Sequence, residues 1–191
     1  MSDRADRFTV ILDANVLASG LGRNMLLSLA EAGLFRPRWT NDILEETERA
    51  IAKIIGDSAK AKLQRERIEL AFPEACIDGH ELFVGAIELK DPDDRQVVAA
   101  AIRTRAAIIV TENTRDFDAE TLQVLDIQAL RLDDFVADQI DLAGPEAVTA
   151  LRAMRQRFKN PEITAEALVR RVEACGLVQT ANLLEQYASL L

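Results

Sequence analysis

Hydrophobic and polar positions alternate along the chain in blocks that predict strands and helices in turn. Val10, Ile11 and Leu12 form a short continuous apolar run, the pattern of a strand buried on both faces, and Asp13 falls at its C-terminal end. Asn24 to Ala32 has helical character and stops at Gly33. After a short segment, Phe35 to Trp39, one of Thr40, Asn41 or Asp42 caps a helix from about Ile43 to Ile55, ended by Gly56. Its apolar stripe is Ile43, Leu44, Thr47, Ala50, Ile51, Ile54 and Ile55. Asp57 to Leu70 predicts a charged helix stopped near Pro73, and a loop through Cys76 to Gly79 leads to a short helix around Glu81 to Glu88. KDPDDRQVVAAAIRT predicts a loop and a capped helix, and AAIIVTEN a second buried strand. Leu125 to Leu130 is a third strand and Asp133 to Gln139 a short helix. Beyond Gly144-Pro145 the pattern is helical throughout: Pro145 to Phe158, Thr164 to Cys175 closed by Gly176, and Leu177 to Leu191. Strands alternating with helices imply a parallel sheet with helices on both faces.

Composition narrows the chemistry. The 191 residues are 49% hydrophobic and 29% charged, the balance of a soluble globular chain, and no apolar run approaches the roughly 18 residues that span a bilayer. The expected compartment is the cytoplasm, and no membrane partner is expected. Cys76 and Cys175 lack metal-like spacing and read as small buried thiols. A single histidine, His80, argues against a catalytic triad or a histidine zinc site, so acid–base or metal chemistry falls to carboxylates. The net charge of −9 runs against a nucleic-acid partner unless basic patches are local and a cation offsets an acidic site.

Four acidic positions fall where the active edge of such a sheet would gather them. Asp13 ends the first strand; open α/β sheets bind ligands at that edge. Glu46 flanks the apolar stripe of its helix next to Ile43 and Ala50, and Glu48 flanks the other edge, so spacing does not choose between them. Glu45 points outward, able to pair with Arg49. Asp94 opens the alanine-rich helix, whose N-terminus favours the ionised carboxylate. Asp116 follows the second buried strand, close after Thr111 and Asn113. Hard oxygen ligands of this kind suit Mg²⁺ or Mn²⁺, which can activate a water and neutralise charge at a phosphate. Each acid also has a plainer reading: Asp91, Asp93 and Asp94 as helix caps, Glu46 as a solvated charge, Asp116 as a turn residue.

Taken in order, these motifs resemble the PIN domain, the ribonuclease fold of VapC-type toxins from toxin–antitoxin pairs. ILDANVL stands for the family's D-T/S-N-V-L opening, ILEETERAI for its second acid, DPDDRQVVAAAI for the third, and IIVTENTRDF for the closing motif. The resemblance implies an α/β PIN-like three-layer sandwich over residues 1–140 with an all-α C-terminal extension, 141–191, like that of some larger VapC-like proteins. It implies a Mg²⁺- or Mn²⁺-dependent endoribonuclease with Asp13, Glu46, Asp94 and Asp116 as its acidic quartet. Asp13, Asp94 and Asp116 would ligate the metal, supported by Asn15, Thr111 and Asn113. Ala14 replaces the usual hydroxyl residue beside the first acid, and Asn113 stands where many relatives carry an acid, so one ion is expected in the free enzyme. The implied partners are an RNA substrate, a cognate antitoxin and a second copy in a homodimer.

Two basic stretches could contact RNA. Arg36 and Arg38, with Trp39, could clamp it, although the core is the plainer place for Trp39. Within Ala147 to Asn160, Arg152, Arg155 and Lys159 share one face and Val148, Leu151 and Phe158 another, which is either an RNA-contacting stripe or a solvated surface. A haloacid-dehalogenase phosphatase is excluded by Asn15 where its second aspartate belongs, and a receiver domain by the missing late lysine. A PIN-like scaffold that binds RNA or protein without cutting is the competing reading.

Overall fold

The computed structural model describes residues 8–89, 91 and 94–191. They divide into two compact units, one of residues 8–19 and 36–131, the other of residues 20–35 and 132–191.

The first unit is built on a four-stranded, wholly parallel sheet in the order β2-β1-β3-β4, with β1 at Thr9–Leu12, β2 at Arg36–Arg38, β3 at Ile108–Val110 and β4 at Gln128–Leu130. Val10, Ile11, Leu12, Ile109 and Val110 have no exposed surface, as the apolar runs require. The chain passes from β1 to β2 on one side and later returns to β3 on the other. The switch point, where such sheets bind ligands, thus lies between the C-terminal ends of β1 and β3.

Helices flank this sheet. A five-residue helix, α1 (Ala14–Ala18), starts directly at Asp13, too short for its periodicity to show in the sequence. The helix α3 (Asn41–Ile55) takes Thr40 as its cap, whose hydroxyl accepts from the Ile43 N–H, and ends at Gly56 with φ 68°, the left-handed conformation that glycine adopts freely. Its stripe is shorter than expected: Ile43, Leu44, Thr47 and Ile51 are buried, but Ile54 and Ile55 are exposed. Asp57 caps α4 (Ser58–Ala71), which packs on α3. Arg65 of α4 ties the pair together through Asn41 at 2.6 Å and Glu48 at 3.4 Å, and pairs within α4 with Glu69 at 3.3 Å. Trp39 is fully buried, edge-on to Phe72 at 6.1 Å, so it belongs to the core and not to a nucleic-acid clamp. The short helix α5 (Glu81–Val84) packs on α6 (Arg95–Thr104), which covers β1 and β3 with Val97, Val98 and three buried alanines. An unforeseen turn-and-a-half, α7 (Ala119–Val124), is capped by Asp118.

The second unit is all helical: α2 (Gly20–Glu31), α8 (Leu132–Leu142), α9 (Gly144–Gln156), α10 (Ala165–Ala174) and α11 (Val178–Gln186). Phe35 and Phe135 meet edge to face at 5.0 Å in its core. No side chain at Leu177 caps α11; Asp133 of α8 does so from across the unit, accepting from the N–H groups of Gln179 and Thr180 at 2.9 Å each. Lys159 lies beyond the end of α9 and so does not extend the face that Arg152 occupies. Cys76 and Cys175 are both exposed, not buried as expected: Cys76 follows the buried Ala75 and forms a lone bridge with Trp39, and Cys175 ends α10, where Leu177 two residues on takes the core position. Among the described residues, no helix is long and apolar enough to cross a membrane.

Candidate active site

The ladder between β1 and β3 runs one residue past the strands, because the Asp13 N–H donates to the Val110 carbonyl at 3.0 Å. That bond brings the side chains of Asp13 and Thr111 together at the switch point. Thr111, fully buried, donates its hydroxyl to Asp13 Oδ2 at 2.7 Å. Asn15 donates its amide to the same oxygen at 2.7 Å and to Thr111 Oγ1 at 3.0 Å, while its Oδ1 accepts from the Glu112 N–H at 3.0 Å. The Ala14 N–H completes the set at Asp13 Oδ1, 2.7 Å away, and the Asn113 N–H donates to Thr111 Oγ1 at 3.1 Å. Burial pushes the Asp13 carboxyl up from its ordinary value, and the hydrogen bonds from Thr111, Ala14 and Asn15 oppose that push. Ala14 offers Asp13 its backbone N–H alone; the one hydroxyl on Asp13 is that of Thr111, just past β3.

Asp94 stands at the N-cap position of α6, yet its side chain makes no capping bond. Its carboxyl is pushed up to about 6, first by burial and then by the negative charges of Asp13, Asp91, Asp116 and Glu46. This reverses the expectation that the helix N-terminus would dominate: four like charges and desolvation outweigh the half-charge of a helix end. Four carboxylates, on three remote segments and on the loop just before α6, therefore act on Asp94. Asp91 is the member that sequence reasoning reads only as a cap; it lies in a bend three residues before Asp94, outside α6. The cap reading of Asp93 lies outside the described residues.

Other candidates separate. Glu46 is exposed on α3, whereas Glu48 is engaged with Arg65. Glu45 accepts from Asn41 at 2.8 Å, in place of the expected pairing with Arg49. Asp116 is exposed in the turn after β3, its N–H bonded to the Asn113 carbonyl at 3.0 Å. Arg36 is exposed on β2, and Arg38 is half-buried, its guanidinium held below its usual value by burial and by Arg36, with Glu74 opposing. In the helical unit, Arg152 is exposed, while Arg155 donates to the backbone carbonyls of Ile163 at 2.6 Å and Leu191 at 3.3 Å.

The donor set suits a hard divalent cation. A carboxylate offers about four lone-pair positions, and three of Asp13's are taken, so one remains on Oδ1 for a ligand. Among the described residues, no three Asp, Glu, His or Cys side chains already stand close enough to hold an ion between them.

Residues 9–115 match the family model of the PIN domain, and residues 132–186 that of the VapC50 C-terminal domain. Over 76 residues the chain is 38% identical to the protein described as "Putative ribonuclease VapC50" from Mycobacterium tuberculosis (strain ATCC 25618 / H37Rv). That alignment covers 40% of this chain and 45% of the relative, so the chain corresponds to under half the length of the curated relative it matches. No solved structure matches it.

Proposed function

The chain belongs to the PIN-domain family, and from that premise we propose that it is a metal-dependent endoribonuclease hydrolysing RNA phosphodiester bonds, the toxin of a VapBC-type pair. The observation that carries this reading is that Asp94, at the head of α6, feels the charges of Asp13, Asp91, Asp116 and Glu46 together, beside the Asp13–Thr111–Asn15 network at the sheet edge. Asp13, Asp94 and Asp116 would hold a Mg²⁺ or Mn²⁺ ion, with Glu46 beside them. When bound, such an ion activates water and offsets charge on the phosphate and leaving oxygen.

The chain's own part is orientation. Thr111 and Asn15 fix Asp13 Oδ2, so the remaining lone pair on Oδ1 faces a constant direction. The side chains of Glu46 and Asp116 are exposed to solvent. Hydrolysis then breaks the phosphorus–oxygen bond to the leaving ribose, which takes up a proton as the water oxygen stays on phosphorus.

The nuclease domain in this reading is residues 1–140, with 141–191 as its extension, in the cytoplasm, paired with an antitoxin and with a second copy of itself. The absence of three preassembled ligands among the described residues favours the second reading, a scaffold that binds RNA or protein without cutting. One experiment separates them. Structured RNA is incubated with wild type, Asp13→Asn and Asp94→Asn in Mg²⁺ or Mn²⁺. Cleavage by wild type alone is expected; no cleavage, or equal cleavage by all three, overturns the nuclease reading.

A further inference from the structure

The helix that carries Glu46 also carries two cations that make no ion pair among the described residues. Arg49 and Lys53 are exposed, and neither makes an ion pair among the described residues, because Glu45 turns to Asn41 and Glu48 to Arg65. At 100° and about 1.5 Å per residue, Arg49 lies about 60° around α3 from Glu46 and Lys53 about 20°, with Lys53 about 10 Å further along the axis. Glu46, Arg49 and Lys53 thus form one line on one helix face, running from the acidic site toward the turn at Gly56. The charge continues past that turn. Residues 49–67 hold six lysines and arginines against two acids, in a chain whose net charge is −9. On α4 the pattern changes, since Lys60 is paired with Asp57 and Arg65 with Glu48 and Glu69.

Resting on the ribonuclease reading, we propose that Arg49 and Lys53 are a phosphate-contacting rail that leads the RNA backbone along α3 to the acidic site. A polyanion whose scissile phosphate lies among the carboxylates needs cations at the next phosphates, where they add affinity without reading sequence. This face offers two such cations in line with Glu46. The α9 stripe differs, because Arg155 is spent on backbone carbonyls. An acidic protein segment is the other polyanion such a face could take; the direct line to Glu46 favours RNA.

The test uses the full chain with Asp94→Asn, so that RNA stays whole, and fluorescein-labelled random-sequence 20-mer single-stranded RNA, followed by anisotropy across a KCl series in Mg²⁺. Adding Arg49→Gln and Lys53→Gln is expected to weaken binding equally for all sequences. It should also flatten the plot of log affinity against log salt by roughly 1.4, at about 0.7 per lost phosphate contact on a single strand. The charge-keeping pair Arg49→Lys and Lys53→Arg should leave the slope as it was. A slope unchanged by the glutamine pair while the RNA still binds overturns the rail and leaves the nuclease reading intact. If labelled poly-glutamate loses affinity in that pair while RNA does not, the face belongs to an acidic protein and the rail is again overturned. No RNA binding by the parent, together with no cleavage by wild type, overturns both.

Discussion

Asp94 is the residue at which the site's cost is concentrated. Its carboxyl titrates near 6 in the folded chain against 3.8 in an open one, so ionising it is harder folded than unfolded. A raised pKa of this kind gives a contribution to stability that is complete below pH 3.8 and is lost as pH climbs through about 6. In chelator, the melting temperature of wild type relative to Asp94→Asn should therefore fall between about pH 4 and pH 7; parallel curves would show that Asp94 feels no such field. Divalent-ion affinity should move the opposite way over that interval, since the ligand must be ionised. The acids at the strand ends were legible one by one, because strand, turn and helix signals place Asp13, Asp94 and Asp116 at one edge. The difference between Glu46 and Glu48 was not, because Arg65 pairs with Glu48 from another helix, and no periodicity within α3 reports a partner on α4. Asn15 shows the same limit: its three hydrogen bonds reach Asp13, Thr111 and Glu112, two of which lie far along the chain.

At the scale of elements, long amphipathic segments were readable and short ones were not. The helices α3, α4, α6, α9 and α10 each span ten residues or more, enough turns for an apolar stripe to repeat. The five residues of α1 and six of α7 span under two turns, and β2, RPR, carries no alternation, being paired only by its register with β1. The start of α11 illustrates what replaces a missing local signal. Its first N–H groups are satisfied by Asp133, 46 and 47 residues earlier, where a capping side chain at Leu177 would otherwise be needed. Truncating it, Asp133→Ala, should cost about 1 to 2 kcal/mol, the upper range for losing a helix cap, measured by urea unfolding. Asp133→Asn keeps an acceptor and should recover part of that. If Asp133→Ala unfolds like wild type, water satisfies those groups and the long-range cap contributes nothing.

For the whole molecule, the question is where the excess negative charge resides and what relieves it. Thirty-two acids outnumber twenty-three bases, and four of the acids act on a fifth, Asp94, in the unit of residues 8–19 and 36–131. Monovalent salt screens such repulsion only over the Debye length, about 10 Å at 0.1 M. An ion bound directly by the carboxylates instead stabilises the folded state by RT ln(1 + [L]/Kd), about 2.7 kcal/mol at a hundredfold excess over Kd. The chain carries its own reporters: its single tryptophan, Trp39, is buried in the unit that holds the acids, and its single tyrosine, Tyr187, lies in the helical unit. Mn²⁺ should raise the midpoint of thermal unfolding read by Trp39 fluorescence, chelator should return it, and Asp94→Asn should abolish most of the rise. Tyr187 then reports whether that stabilisation extends to the helical unit or stays with the carboxylates. An equal rise produced by potassium chloride of the same ionic strength would mean screening alone, and the carboxylates would then be a charged surface with no ion-binding centre.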